Sequence, residues 1–257
     1  MNNPAQTGLE SSTNTLPNNW KILNHDAIGV VPGAPGQRAF PTAQAQHADP
    51  FVLLDHIGPK VMPSNFHMDG HLHPHRGFET ITFMFNGNLN HVDNFGNRAL
   101  LSSGGVQHMN AGRGISHGGD MWAEEGSNDF HEIQLWVNSP ANEKMSEPSV
   151  HNFTETQIPL IENQHHTLRV IAGSQLNAQQ DTIEGPIKTF ANITALHGLA
   201  NSDANATGAD KIAPGASLQI NPLHNTVLVY PLTGSLQVNL DKDTIKLQSQ
   251  QSLLITQ

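Results

Sequence analysis

The sequence predicts an all-β chain built from two barrel- or sandwich-like units, and three observations carry that expectation. First, 22 glycines and 16 prolines punctuate short runs of β-branched and aromatic residues, the pattern of strands between turns. Second, no segment sustains apolar residues at the 3.6-residue helical period over three turns. Third, 257 residues with 37% hydrophobic content suffice to fill a core in each of two units. The runs at residues 80–85, 133–137, 168–171, 226–230 and 236–240 are the clearest strands. A jelly roll is one arrangement that limits exposed sheet edges among so many short strands. Residues 142–147 are expected to form one short helical turn.

The chain divides by composition. Residues 1–20 are rich in Asn, Ser, Thr and Pro and read as a loose arm without an apolar or basic leader, which predicts a cytoplasmic protein. Trp136 and Val137 end a strand, and a polar stretch with Pro140, Pro148 and Pro159 follows. The first unit is therefore expected at 21–145 and the second at 146–257. Residues 201–210 read as a solvated loop. Residues 253–256 read as a strand with nothing left beyond them to pair, so the second unit is expected to be shortened.

Charge and composition exclude several classes. Twelve Lys and Arg face 22 Asp and Glu, a net charge of −10 that repels phosphate backbones, so direct nucleic-acid binding is not expected. A basic protein would suit this surface better as a partner. No stretch approaches the roughly 20 apolar residues of a membrane helix. Cysteine is absent, so disulfides, thiolate ligands and cysteine nucleophiles are excluded and any metal must rest on His, Asp and Glu. Sixteen histidines occur, eleven of them up to His131.

Two segments concentrate the chemistry. The first reads His71-Leu72-His73-Pro74-His75-Arg76-Gly77-Phe78-Glu79. Alternate residues of a strand share a face, with neighbours about 6 to 7 Å apart, so either His71/His73 or His73/His75 can chelate one ion. Pro74 cannot donate to a sheet ladder, which implies a strand start, an edge or a bulge. The second segment, Asn110 to Trp122, carries His117 between glycines that allow close backbone approach. Phe78, Phe83 and Phe85 either line a flat pocket or fill core; Met109, Trp122 and His131 read most simply as core. Arg76 and Arg113 either hold an anion or make structural ion pairs.

Taken together, these segments resemble the pirin family of the cupin superfamily. The resemblance rests on His73-Pro74-His75-Arg76-Gly77-Phe78-Glu79-Thr80 and on Ala111-Gly112-Arg113-Gly114-Ile115 followed by His117. Asp49-Pro50-Phe51 with Leu54-Asp55, and Gln134-Leu135-Trp136-Val137-Asn138, add to it. It implies two cupin-type jelly-roll barrels packed face to face, the first binding one metal and the second degenerate. The implied ligands are His73, His75 and His117. The family's fourth ligand, a Glu two residues beyond the third His, is Gly119 here; Glu79, Asp120 or water is expected in its place, with Glu79 or water preferred. If it is not a ligand, Glu79 is a candidate catalytic base.

The donor set suits Fe(II), preferred by the resemblance, and also Ni, Zn, Cu or Mn. Two functions follow from the resemblance: a quercetin 2,3-dioxygenase-type oxidoreductase cleaving flavonols, or a non-catalytic regulatory protein whose metal controls a protein partner in transcription. Fold alone does not choose between them.

Overall fold

The structure is a computed structural model that describes residues 20–46, 48–163, 166–200, 225–240 and 242–256. The first half contains β1 (Trp20–Asn24), β2 (Asp26–Ile28), β3 (Gly36–Phe40), β4 (Phe51–Val61), β5 (His67–His75) and β6 (Phe78–Asn86). It continues with β7 (Asn88–Asp93), β8 (Arg98–Ser102), β9 (Val106–Asn110), β10 (Ile115–Trp122), β11 (Asp129–Asn138) and β12 (Ser149–Phe153). The second half contains β13 (Leu160–Glu162), β14 (His166–Ala172), β15 (Ser174–Leu176), β16 (Thr182–Glu184) and β17 (Ala195–Ala200). It ends with β18 (Thr226–Val229), β19 (Ser235–Asn239), β20 (Thr244–Gln248) and β21 (Gln251–Thr256).

A seven-stranded antiparallel sheet, ordered β12-β9-β6-β11-β4-β3-β2, faces a four-stranded one, β5-β10-β7-β8. Strand β6 explains how the two layers separate. Its sequence alternates, so Thr80, Thr82 and Met84 lie on one face and Glu79, Ile81 and Phe83 on the other. Met84 packs with Leu89 and Leu101 of the smaller sheet. Ile81, Leu135 and Val137 instead share a core with Ile171, Ile187, Ile193 and Leu254 of the second half. The seven-stranded sheet is thus the shared wall between the two units.

Two strand pairings depart from the expected division. Strand β12 lies beyond residue 145, yet it pairs with β9 and extends the first unit's large sheet. Strand β1 precedes the first unit but pairs with β21, and β21 also pairs with β18. The final strand is therefore paired on both sides. Residues 142–147 form turns and a bend instead of a helix, held by tertiary bonds such as Lys144 Nζ to the Gly77 and Asn138 oxygens. Among the described residues the helical content is the 3₁₀ turn Glu155–Gln157, and no helix is long and apolar enough to cross a membrane. Residues 1–19 and 201–210 lie outside the described residues.

Around His117 the strands approach more closely than side chains allow. A Cβ on Gly118 would stand 2.4 Å from the Gly70 carbonyl oxygen, and one on Gly119 would stand 1.9 Å from that of Asn90. Gly119 also has φ of 145°, a conformation that L residues rarely adopt. These glycines permit the bulge at which β10 slips against β5 between His117 and Gly119. Gly119→Ala should therefore cost about 2 kcal/mol or more, read as a lowered urea midpoint; an unchanged midpoint would contradict the close packing described here.

Candidate metal centre

His117 on β10 is the direct register partner of His73 on β5, and His75 follows two residues later on the same face. The three rings converge: centroids are 4.6 Å apart for His73 and His117, 4.8 Å for His73 and His75, and 4.9 Å for His75 and His117. One nitrogen from each ring lies within 4.8 Å of the other two. A zinc–imidazole bond is roughly 2.0 to 2.1 Å, so nitrogens that share one ion stand about 3 to 3.5 Å apart and these three would draw together around it. Of the two pairs that the spacing left open, His73 and His75 are the ones that converge with His117, and His71 stands outside the group. Strand β5 is the outer strand of its sheet, which is where Pro74 costs no ladder bond on the free side.

The donors are chemically prepared as ligands. His73 donates Nδ1–H to the His71 carbonyl at 2.9 Å, which leaves Nε2 with its lone pair in the neutral ring. Burial, reinforced by His73, lowers the His75 pKa to about 4. Burial and then His73, His75 and His91 lower that of His117 to about 3, against a smaller opposing pull from Asp93. Both are neutral near pH 7, as metal ligands must be. His117 Nε2 is buried without a hydrogen-bond partner, and such a group calls for an explanation such as an ion. His73 is exposed, His75 half-buried and His117 buried, so the centre opens on one side. Phe78 stacks on Trp136 at 4.6 Å, and both rings contact His75.

Glu79 is not in this group, and the expectation that it turns inward is corrected. Thr80 pairs with Trp136 on the histidine side, whereas Glu79 pairs with Val137 on the opposite side. Its Oε1 is 2.8 Å from His108 Nε2, and its Oε2 accepts the Phe190 N–H at 3.0 Å. Glu79 is fully buried and ties β6 to β9 and to the second half. Neither the ligand role nor the base role fits that position. Asp120 pairs with Asp69 and Asn90 on β10's flanks and also stands outside the group.

The remaining candidates divide in the same way. Phe83 and Phe85 stack on each other on the inter-unit face, where Phe85 meets His131 and His197. His131 is a buried core histidine, bonded to His56 at 2.8 Å. Met109 is core. Arg113 makes an exposed ion pair with Glu147, and Arg76 lies against the Met145 sulfur. Two cavities of about 320 and 350 Å³ also open on the inter-unit face, the first against Phe85, His131 and His197 and the second against Glu79, His108 and Phe190.

One further histidine adjoins the centre without a motif to mark it in the sequence. His91 on β7 is the register partner of Gly119 and stacks beside His117 at 5.2 Å. In sequence it is an isolated histidine, and the only local signal is Asp93 two residues on, the spacing at which a carboxylate shares its strand face.

Two face-to-face antiparallel units, with three histidines gathered in one of them, define a two-barrel cupin with a candidate metal centre. The sequence profile of the pirin family matches residues 33–137, and the chain belongs to the pirin family. It is 35% identical over 210 residues to a Vibrio cholerae protein named provisionally as a quercetin 2,3-dioxygenase, covering 79% of this chain and 67% of that one. A Caulobacter vibrioides pirin-like protein is 38% identical over 168 residues, covering 65% and 58% of the two chains. The chain spans about half to two thirds of the length of such relatives. In fold it is similar to a quercetin 2,3-dioxygenase from Acinetobacter baumannii, with a TM-score of 0.67, 24% identity, and coverage of 92% and 78%. It is also similar to a bacterial pirin from Escherichia coli in complex with nickel(II), with a TM-score of 0.52, 13% identity, and coverage of 93% and 90%.

Two predictions follow from this geometry. Glu79→Ala removes the acceptor of the Phe190 N–H and strands the buried His108 nitrogen, so it should cost roughly 1 to 3 kcal/mol of stability and leave metal affinity within about twofold. Calorimetric titration beside urea unfolding reads both, and a selective loss of metal binding would return Glu79 to the centre. Acid should also weaken the metal-free protein. His25, His56, His75 and His131 have pKa values lowered to about 4 and His117 to about 3, each chiefly by burial. Between pH 6.5 and 4 their unfolded forms bind protons that the folded forms refuse, so stability falls as pH falls. Glu132, raised to about 7 by burial and Asp55, works in the opposite direction but alone against five. The urea midpoint should be lower at pH 5 than at pH 7, and a flat or rising midpoint would contradict neutral burial of these imidazoles.

Proposed function

We propose that this chain holds one divalent transition metal through His73, His75 and His117 and acts on flavonols such as quercetin as an oxygen-dependent dioxygenase. The observation that carries the reading is the convergence of three imidazoles with nitrogens within 4.8 Å. Iron(II) is the preferred ion. Nickel is the alternative supported by the nickel-bound pirin, and imidazole donors accept both. Bound there, the metal would supply Lewis acidity and redox chemistry at a site with open coordination positions.

The chain's own residues contribute position and shape. His73 and His75 present their rings from an outer strand, so a planar substrate can approach without displacing core. The stacked Phe78 and Trp136 rings beside His75 offer an aromatic surface against which such a substrate can lie. Glu79 takes no part in proton transfer, being engaged on the other side of the sheet.

The test combines metal analysis with oxygen uptake on a flavonol panel. Uptake should rise in proportion to iron or nickel occupancy. His75→Ala and His117→Ala should each reduce metal affinity by at least about 100-fold, since each removes one of the converging imidazoles, while His71→Ala should change it little. Stoichiometric metal without turnover on any flavonol would remove the enzymatic half of the proposal. Loss of binding in His71→Ala with retention in His75→Ala would remove the ligand assignment.

A further inference from the structure

His91 carries the marks of a ligand not yet counted. It is fully buried, and its Nδ1 has no hydrogen-bond partner. Its Nε2 lies 3.2 Å from Asp93 Oδ2, with both side chains almost wholly removed from solvent. That carboxylate is itself fixed: Oδ1 accepts the backbone N–H of Phe95 and Asn97, and Oδ2 accepts Asn97 Nδ2–H at 2.7 Å. In the neutral ring, donation of Nε2–H to Asp93 leaves the lone pair on Nδ1. A carboxylate holding one nitrogen of a histidine while the other stands bare is the usual support of a metal-binding imidazole.

Position agrees with chemistry. The His91 ring stacks on that of His117 with centroids 5.2 Å apart, and His117 Nε2 is likewise buried and unpartnered. His91 also faces Gly119 across the ladder. No side chain can enter from that residue, because its Cβ would meet the Asn90 carbonyl. The space beside His117 therefore belongs to β7. His91 is the next ring out from the three converging histidines.

We propose that His91 is the fourth protein ligand of the metal centre, supplied through Nδ1 and oriented by Asp93. The inference rests on the ligand assignment proposed above for His73, His75 and His117.

The test uses the full metal-free chain with copper(II) as a spectroscopic probe and nickel(II) for affinity. In the parent protein, the nitrogen hyperfine pattern of bound copper(II) should count four imidazole nitrogens, falling to three in His91→Ala. Nickel(II) affinity should drop by about 10- to 100-fold in His91→Ala, and by a similar or smaller factor in Asp93→Asn, with one-site stoichiometry kept. If His91→Ala fails to fold, His91→Gln and the nitrogen count of the parent protein decide the matter. Three nitrogens in the parent, or a His91 variant with unchanged affinity and spectrum, would overturn the inference while leaving the three-histidine centre intact. Absence of any copper or nickel binding by the parent, or binding indifferent to His117→Ala, would instead overturn the underlying assignment.

Discussion

The contact on which the rest of the site depends is backbone against backbone. Gly118 and Gly119 bring β10 against β5 on one side and β7 on the other, at distances that leave no room for a Cβ. The consequence is positional. His117 is held opposite His73 on one flank and beside His91 on the other, so imidazoles from three strands reach one region without help from a flexible loop. Sites built on strands in this way are more closely specified than sites on loops. The strain of a positive φ at Gly119 is absorbed by the residue type that tolerates it.

The second constraint is the alternation of β6 and β11. One face of the large sheet carries Phe78 and Trp136 toward the histidines, and the other carries Ile81, Leu135 and Val137 into the core shared with the second half. Glu79 belongs to the second face, where its carboxylate bridges His108 and the Phe190 amide. The same strand therefore supports the candidate metal centre and fastens the two units. Phe78 and Glu79, adjacent in sequence, do the two jobs separately because adjacent strand residues point opposite ways.

Much of this was legible from the residues. The glycines around His117 and the short β-rich runs are local signals that reappear as a bulge and as strands, whereas the spacing left His71/His73 and His73/His75 both open, and it is the pairing of β5 with β10 that brings His73 and His75 to His117. The expected inward turn of Glu79 failed for an equally local reason. β5 ends at His75 and β6 begins at Phe78, with Gly77 between them at φ of 75°. Strand parity cannot be carried across such a turn. His91 was missed for the opposite reason, since its neighbours Gly119 and His117 are brought to it only by the pairing of β7 with β10. The helical turn expected at 142–147 gave way to bonds from Lys144 to Asn138 and to the Gly77 carbonyl, and the second of these no short window of sequence contains.

The central claim is that His73, His75 and His117 hold a single metal ion. Anomalous diffraction from crystals of the nickel-loaded protein, recorded on both sides of the nickel edge, tests it most directly. One strong peak is expected about 2.0 to 2.2 Å from a nitrogen of each of the three rings. A strong peak elsewhere, with no density among these histidines, would contradict it.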